Sequence, residues 1–421
     1  MRGPLCLISG DTPVARPGSF PANGGIPSGL QGSVESANAA AVRQRGHALK
    51  YMPQLDSLRA IAVAGVMVHH LLDRSLLPGI LSLDWGPAGV RLFFVLSGFL
   101  ITSLLLESRD ALGRGKQGLR HAFAQFYMRR TLRIFPLYYF VLLLALLFAA
   151  PSSSDWADPS ARSQLPWLAT YTYNLFVSAN GTWPHYFGHF WTLSVEEQYY
   201  LLWPWVVLLA PRPRLVPIAI GLCVAGPIYR GIAVAADFNE VAVYAFPVAN
   251  FDTLGMGSLL ALLTGGRPAS VRLEGLLRRI TLPLGALGIF LVHNTALQPV
   301  FMDTLLALVF LWLVAGASSG LGWFGKTVLE WRPLVFTGRI SYGLYVYHML
   351  PPYLLPPLLT ELGLNLRMHG YAGFVVSAAT TFAVACASWF LLEAPINRLK
   401  RRFGGSRAAT PASPSVKGPS P

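Results

Sequence analysis

The sequence predicts an all-α, polytopic membrane protein of about ten transmembrane helices with both termini cytoplasmic. Hydrophobic residues make up 53% of the 421 residues and charged residues only 12%, against about 25% charged in an ordinary soluble domain. Apolar runs long enough to span a bilayer recur between residues 58 and 392. The basic residues alternate with those runs, as they do when charge encodes orientation, so the net charge of +14 is a signal of topology and not of a nucleic-acid partner.

Residues 1–50 are rich in Gly, Pro, Ser and Ala without a continuous apolar stretch, which predicts a disordered N-terminal tail and no signal peptide. Translation starts at Met1 or at Met52, just before the first span. The body, 51–403, holds ten candidate spans: 58–77, 87–107, 132–150, 190–210, 213–235, 243–264, 280–297, 300–319, 334–356 and 370–392. An even number puts both ends on one side. The tails and connections on that side carry 27 Lys and Arg, while the opposite connections carry 4, namely Arg74, Arg162, Arg230 and Arg367. The longest opposite connection, Pro151 to His189, is expected to cover the site from outside, and it and Leu354 to Gly370 are the expected acceptor contacts. Residues 404–421 return to a Gly, Ser and Pro composition and predict a disordered C-terminal tail.

Cys6, Cys223 and Cys386 are widely separated and lack ligand-spaced histidines, which supports neither a metal site nor a disulfide framework. No P-loop, zinc helix or dinucleotide fingerprint occurs, so no permanently bound cofactor is expected.

Ionisable groups inside a bilayer are costly and mark function by default. Arg59 and His70 are eleven residues apart in the first span; on a helix that places them on one face, about 16 Å from each other. Glu196, Asp252 and His348 fall near the depth of His70 when about 1.5 Å is counted per residue, which predicts a polar chamber opening outward. Paired buried charges that only tie helices together are the competing explanation, and for His348 a structural hydrogen bond is as good an account. Arg130 and Arg133, three residues apart, form two guanidinium forks on one helix face. An anion clamp of Arg59, Arg130 and Arg133 with a histidine three turns above suits a ligand with a phosphate head and a long reactive arm, the shape of acyl-CoA. Imidazole can take a hydroxyl proton near neutral pH, and a carboxylate can orient it. Glu196 is the favoured carboxylate over its neighbour Glu197, and His69 points about 100° away from the Arg59 face. Ser97 is assigned to helix packing, because a nucleophilic serine would need a hydrogen-bonded base that the sequence does not place. Arg91 is a candidate inward-facing polar partner.

Leu55-Asp-Ser-Leu-Arg59 with His70, Arg91-Leu-Phe-Phe-Val-Leu-Ser-Gly-Phe-Leu-Ile101, Tyr127-Met-Arg-Arg-Thr-Leu-Arg-Ile-Phe-Pro136, Phe190-Trp-Thr-Leu-Ser-Val-Glu-Glu-Gln-Tyr-Tyr200, Ser341-Tyr-Gly-Leu-Tyr-Val-Tyr-His348 and Leu392-Glu-Ala-Pro395 together resemble the acyltransferase 3 family of integral-membrane acyltransferases. The resemblance implies transfer of an acyl group, most often acetyl, from cytoplasmic acyl-CoA to a hydroxyl of a carbohydrate or glycosylated acceptor in the bacterial inner membrane. It carries the family's arginine and essential histidine onto Arg59 and His70, its arginine pair onto Arg130 and Arg133, and its acid onto Glu196. Some relatives carry a fused extracytoplasmic hydrolase-like domain that is absent here, which implies a separate partner for any second transfer step. Whether His70 acts as base or as acyl carrier stays open. The rival function is a proton-coupled transporter or flippase for a lipid-linked sugar, since membrane acids and histidines also form proton relays.

Overall fold

The computed structural model describes residues 51–73, 76, 84–148, 159–184, 187–363 and 370–399; both expected tails lie outside the described residues. Among the described residues the chain is helical throughout, without a strand.

Helix α1, Pro53–Leu71, opens on a proline, whose missing N–H costs nothing in the first turn. Then come α2, Trp85–Gly113, and α3, Leu119–Phe148, followed by two short helices, α4, Pro159–Ala169, and α5, Tyr173–Asn180. Gly181 ends α5 in the left-handed conformation, with φ 65°, that a side chain would disfavour. Next are α6, Trp191–Leu209, and α7, Arg212–Ala235. The span expected over 243–264 is not one helix. It divides into α8, Glu240–Ala245, capped by the Asn239 side chain, a single turn over Pro247–Asn250, and α9, Phe251–Thr264. Pro247 cannot donate a backbone hydrogen bond and pushes Phe246 into an extended conformation (ψ 143°), which breaks the run.

Two helices follow, α10, Val271–Val292, capped by Ser270, and α11, Gln298–Ser319. The span expected over 334–356 is likewise three pieces: α12, Arg332–Arg339, α13, Ser341–Tyr347, and α14, Pro351–Glu361. Pro351 and Pro352 prevent α13 from continuing. The last long helix, α15, Gly370–Ser388, runs through a wide turn at Trp389–Glu393 into Ala394–Arg398.

Among the described residues, five helices are long and apolar enough to cross a membrane: α2, α7, α10, α11 and the α15 run through Arg398. Their outer faces are apolar, as lipid requires; on α10, Leu287, Phe290 and Leu291 are 57%, 78% and 62% exposed.

Inside, buried charged side chains pair between helices. Arg91 of α2 donates to Asp303 of α11 at 2.6 Å and to Asn250, and its guanidinium lies 4.4 Å from the Tyr244 ring centroid. Arg230 of α7 donates to Asp252 of α9 at 2.8 Å and to Thr304 of α11 at 2.7 Å. Both arginines and Asp252 are fully buried. Arg230, counted from the sequence as an exterior loop charge, is therefore a core residue, and Asp252, expected in a layer with His70, belongs instead to this cluster with Arg91.

Removing one member leaves its partner charged and unmatched, a loss of about 3–5 kcal/mol. Asp303→Ala is expected to lower the thermal stability of the detergent-solubilised protein strongly, and the double variant Arg91→Met, Asp303→Leu to recover most of it. Melting curves of the three proteins check this.

Candidate active site

Close backbone contact fixes the rotation of α2. A Cβ on Gly98 would overlap the Leu254 carbonyl of α9, and one on Gly257 would overlap the Val95 carbonyl of α2, so each helix needs the other's glycine. With Gly98 turned to α9, the adjacent Ser97 faces α6, where its hydroxyl donates to the Glu196 carboxylate at 2.6 Å. The hydrogen-bonded carboxylate that the sequence did not place beside Ser97 thus comes from another helix.

Ser97 and Glu196 line a chamber of about 80 Å³ together with Arg59, Arg130, Arg133, Glu197 and Tyr200. The Arg130 guanidinium sits 5.7 Å from the Tyr200 ring centroid. One oxygen of Glu197 is buried without a hydrogen-bond partner among the described residues. Arg59, Arg130, Arg133 and Tyr342 also line a second, larger cavity of about 420 Å³, a vestibule bounded by Tyr51, Asp56, Arg339, Trp389 and Asn397. The arginines therefore stand in the wall common to both spaces. Asp56 holds Arg59 at 3.1 Å and accepts from the Tyr51 hydroxyl at 2.7 Å, while Arg339 donates to that hydroxyl at 2.8 Å. Arg339 is a fourth cation of the vestibule. In the sequence it was one more positive charge in a basic connection, with nothing to single it out.

His70 lines neither cavity. It is exposed at the far end of α1, and its Nδ1 lies 3.0 Å from Nε2 of the fully buried His348. His348 Nδ1 in turn lies 2.6 Å from the Tyr345 carbonyl oxygen. The structure thus pairs His70 with His348, and Glu196 with Ser97; the expected hydrogen-bonded partnership of Glu196 with His70 is absent because Glu196 lines the chamber with the arginines, which His70 does not reach. The layer predicted from equal depths is three places: the chamber with Glu196, the histidine pair, and the Arg–Asp cluster with Asp252.

Phe93 and Tyr345 line the chamber and meet edge to face, 6.0 Å between centroids. Tyr345 also touches the histidines, its ring centroid 5.6 Å from that of His348 and its carbonyl accepting from the same ring. His189, at the end of the Pro151 to His189 connection, was not singled out in the sequence; its buried ring stands 4.6 Å from that of His348 and its carbonyl accepts from the Tyr345 hydroxyl at 2.9 Å. His69 turns the other way, onto Gly86 and within 3.4 Å of Asp84. Cys223 and Cys386 are free thiols, and no group of metal-ligating side chains occurs among the described residues.

Known proteins are similar to this chain in sequence. The profile of the acyltransferase 3 family, described as an acyltransferase domain, matches residues 52–393. Peptidoglycan O-acetyltransferase OatA of Listeria monocytogenes is 27% identical over 383 residues, covering 85% of this chain and 57% of that protein. O-acetyltransferase OatA of Staphylococcus aureus is 27% identical over 319 residues, 71% of this chain and 50% of that protein. A putative peptidoglycan O-acetyltransferase of Bacillus subtilis, YrhL, is 26% identical over 374 residues, 82% of this chain and 55% of that protein. The chain spans about half the length of these curated relatives. No solved structure matches it. With the family profile covering most of its length and apolar helices able to cross a bilayer, the chain is an integral membrane protein belonging to the acyltransferase 3 family.

Proposed function

We propose that this chain is an O-acyltransferase that moves an acyl group, acetyl by analogy with its relatives, from acyl-CoA at the arginine end to a carbohydrate hydroxyl at the histidine end. Peptidoglycan is the acceptor that the relatives' names favour. In this reading the chain crosses the bacterial cytoplasmic membrane ten times, counting the broken and less apolar segments, with the vestibule facing the cytoplasm. A separate extracytoplasmic partner receives the acyl group where the final acceptor lies beyond the membrane surface.

The observation that carries the proposal is the arginine wall. Arg59, Arg130 and Arg133 border both the vestibule and the inner chamber, so a phosphate-bearing head held in the vestibule can direct a narrow arm between them. His70, beyond the Phe93 and Tyr345 layer, meets an acceptor from the opposite side. When that layer opens, the acceptor oxygen attacks the thioester carbonyl carbon, its proton passes to His70, the carbon–sulfur bond breaks, and the leaving thiolate takes the proton back as CoA. Acyl carriage on the His70 ring is the other route, and trapping labelled acyl-histidine in a single turnover selects it.

In nanodiscs containing the full chain, labelled acetyl-CoA and peptidoglycan fragments, the wild-type protein is expected to acetylate the glycan and His70→Ala to lose more than about 1,000-fold of the rate. A transporter would transfer no label even as wild type, and retention of full transfer by His70→Ala would overturn the role given to that ring. Charge-assisted hydrogen bonds contribute about 1.5–3 kcal/mol each. Arg130→Gln and Arg133→Gln are therefore each expected to raise KM for acetyl-CoA by roughly 10-fold to 150-fold and to change kcat little, as steady-state kinetics will show.

A further inference from the structure

The contacts of His348 determine which nitrogen of His70 carries a hydrogen. A carbonyl oxygen can only accept, so with the Tyr345 carbonyl 2.6 Å from Nδ1 of His348, that nitrogen bears the proton. The His348 ring is fully buried, its contacts are the Tyr345 carbonyl and the His70, His189 and Tyr345 rings, and no carboxylate is hydrogen-bonded to it among the described residues. A second proton would place an unmatched charge in that setting. Nε2 of His348 is then a bare acceptor, and the atom 3.0 Å from it, Nδ1 of His70, must supply the hydrogen. What remains on His70 is an unprotonated Nε2, the ring nitrogen farther from the backbone of α1.

We propose that His348 is a positioning residue that holds His70 in the Nδ1–H tautomer, leaving Nε2 as the basic nitrogen offered to the acceptor hydroxyl. The inference rests on the acyl-transfer reading and gives the orienting role, expected from the sequence for Glu196, to a second histidine. The fold supplies the device. Because α13 stops at Tyr347, ahead of Pro351 and Pro352, carbonyls of its last turn lose the amide partners of a continuing helix; those of Leu344 and Tyr347 still accept from the amides of His348 and Leu350, whereas that of Tyr345 meets the His348 ring. A ring three residues on folds back to fill that position. His348 is thereby fixed at one nitrogen by backbone and fixes His70 with the other, as a hydrogen-bonded second group does for a metal-bound or catalytic histidine.

The test combines spectroscopy with kinetics on the full chain in nanodiscs. With 15N-labelled histidine, and His70→Gln used to assign the signal, His70 is expected to show a protonated Nδ1 and an unprotonated Nε2; the opposite pattern overturns the proposal. His348→Leu removes the acceptor and is expected to lower kcat for transfer from acetyl-CoA by about 10³-fold to 10⁴-fold, the scale of a wrong tautomer, while KM for acetyl-CoA stays within about 3-fold because the arginine wall is untouched. His348→Gln, whose side-chain oxygen can accept from Nδ1–H, is expected to recover kcat to within about 10-fold of wild type. If the Leu and Gln variants lose kcat equally, or if Leu keeps wild-type kcat, the positioning role is wrong. If the wild-type protein acetylates nothing, the acyl-transfer reading fails, and the nitrogen spectrum still decides the tautomer.

Discussion

Two arginines with no access to water, Arg91 and Arg230, determine how much of this membrane core can be arranged. Each guanidinium must meet a carboxylate supplied by a different helix, since an unmatched charge in hydrocarbon is prohibitive. Arg91 reaches Asp303, Arg230 reaches Asp252, and Arg230 also stands 3.9 Å from Asp303. Four helices, α2, α7, α9 and α11, are thereby held in one register. Directional polar contacts can set a unique arrangement where lipid tails and leucines are equally apolar and burial discriminates little. The glycine contact between α2 and α9 completes the frame, and its consequence is chemical: once Gly98 is committed to α9, Ser97 must face α6 and meet Glu196.

Around that frame, the helices that bear the site are built differently. α1, α3 and α6 hold Arg59, His70, Arg130, Arg133 and Glu196, and none of the three is among the helices long and apolar enough to cross a membrane by composition. Their polar residues lower the hydropathy because they line internal space and do not face lipid. In both regions one buried polar atom, Nε of Arg91 in the frame and one oxygen of Glu197 in the chamber, has no hydrogen-bond partner among the described residues.

This contrast also explains what the sequence could and could not convey. Long apolar runs depend on composition alone, so the helical character of every expected segment was legible. The breaks at Phe246 and after Tyr347 were signalled by Pro247, Pro351 and Pro352, but hydropathy windows average across such residues and two spans were drawn as continuous. Arg59, Arg130, Arg133 and Glu196 were found together because charges in or beside apolar runs are conspicuous, and the structure gathers those four around one chamber. Partnerships were not legible. Equal depth grouped Asp252 with His70, yet depth is one coordinate of three, and the angular position of each helix, set by contacts such as Gly98 on Leu254, decides the rest. Arg230 was counted with the exterior charges although the expected span 213–235 contains it, because the carboxylate and hydroxyl that hold it, on Asp252 and Thr304, come from other helices. Ser97 was undervalued for a related reason, since its partner is 99 residues away.

The Phe93 and Tyr345 layer of the chamber wall has a property that suits the proposed transfer. A passage must open for a thioester, but the geometry of the base must not change as it does. Both Phe93 and Tyr345 contribute rings to the layer, whereas His348 is attached to Tyr345 through the backbone carbonyl. Turning the Tyr345 side chain about its own bonds would exchange its hydroxyl contacts with Thr192 and the His189 carbonyl, 2.5 and 2.9 Å, and would leave that carbonyl in place. Side-chain rotamer changes are also quicker and smaller events than helix displacement. In the proposed transfer, a Tyr345 ring that turns on a backbone separately holding the His348 and His70 pair would let the path open without loosening the nitrogen that the chemistry requires.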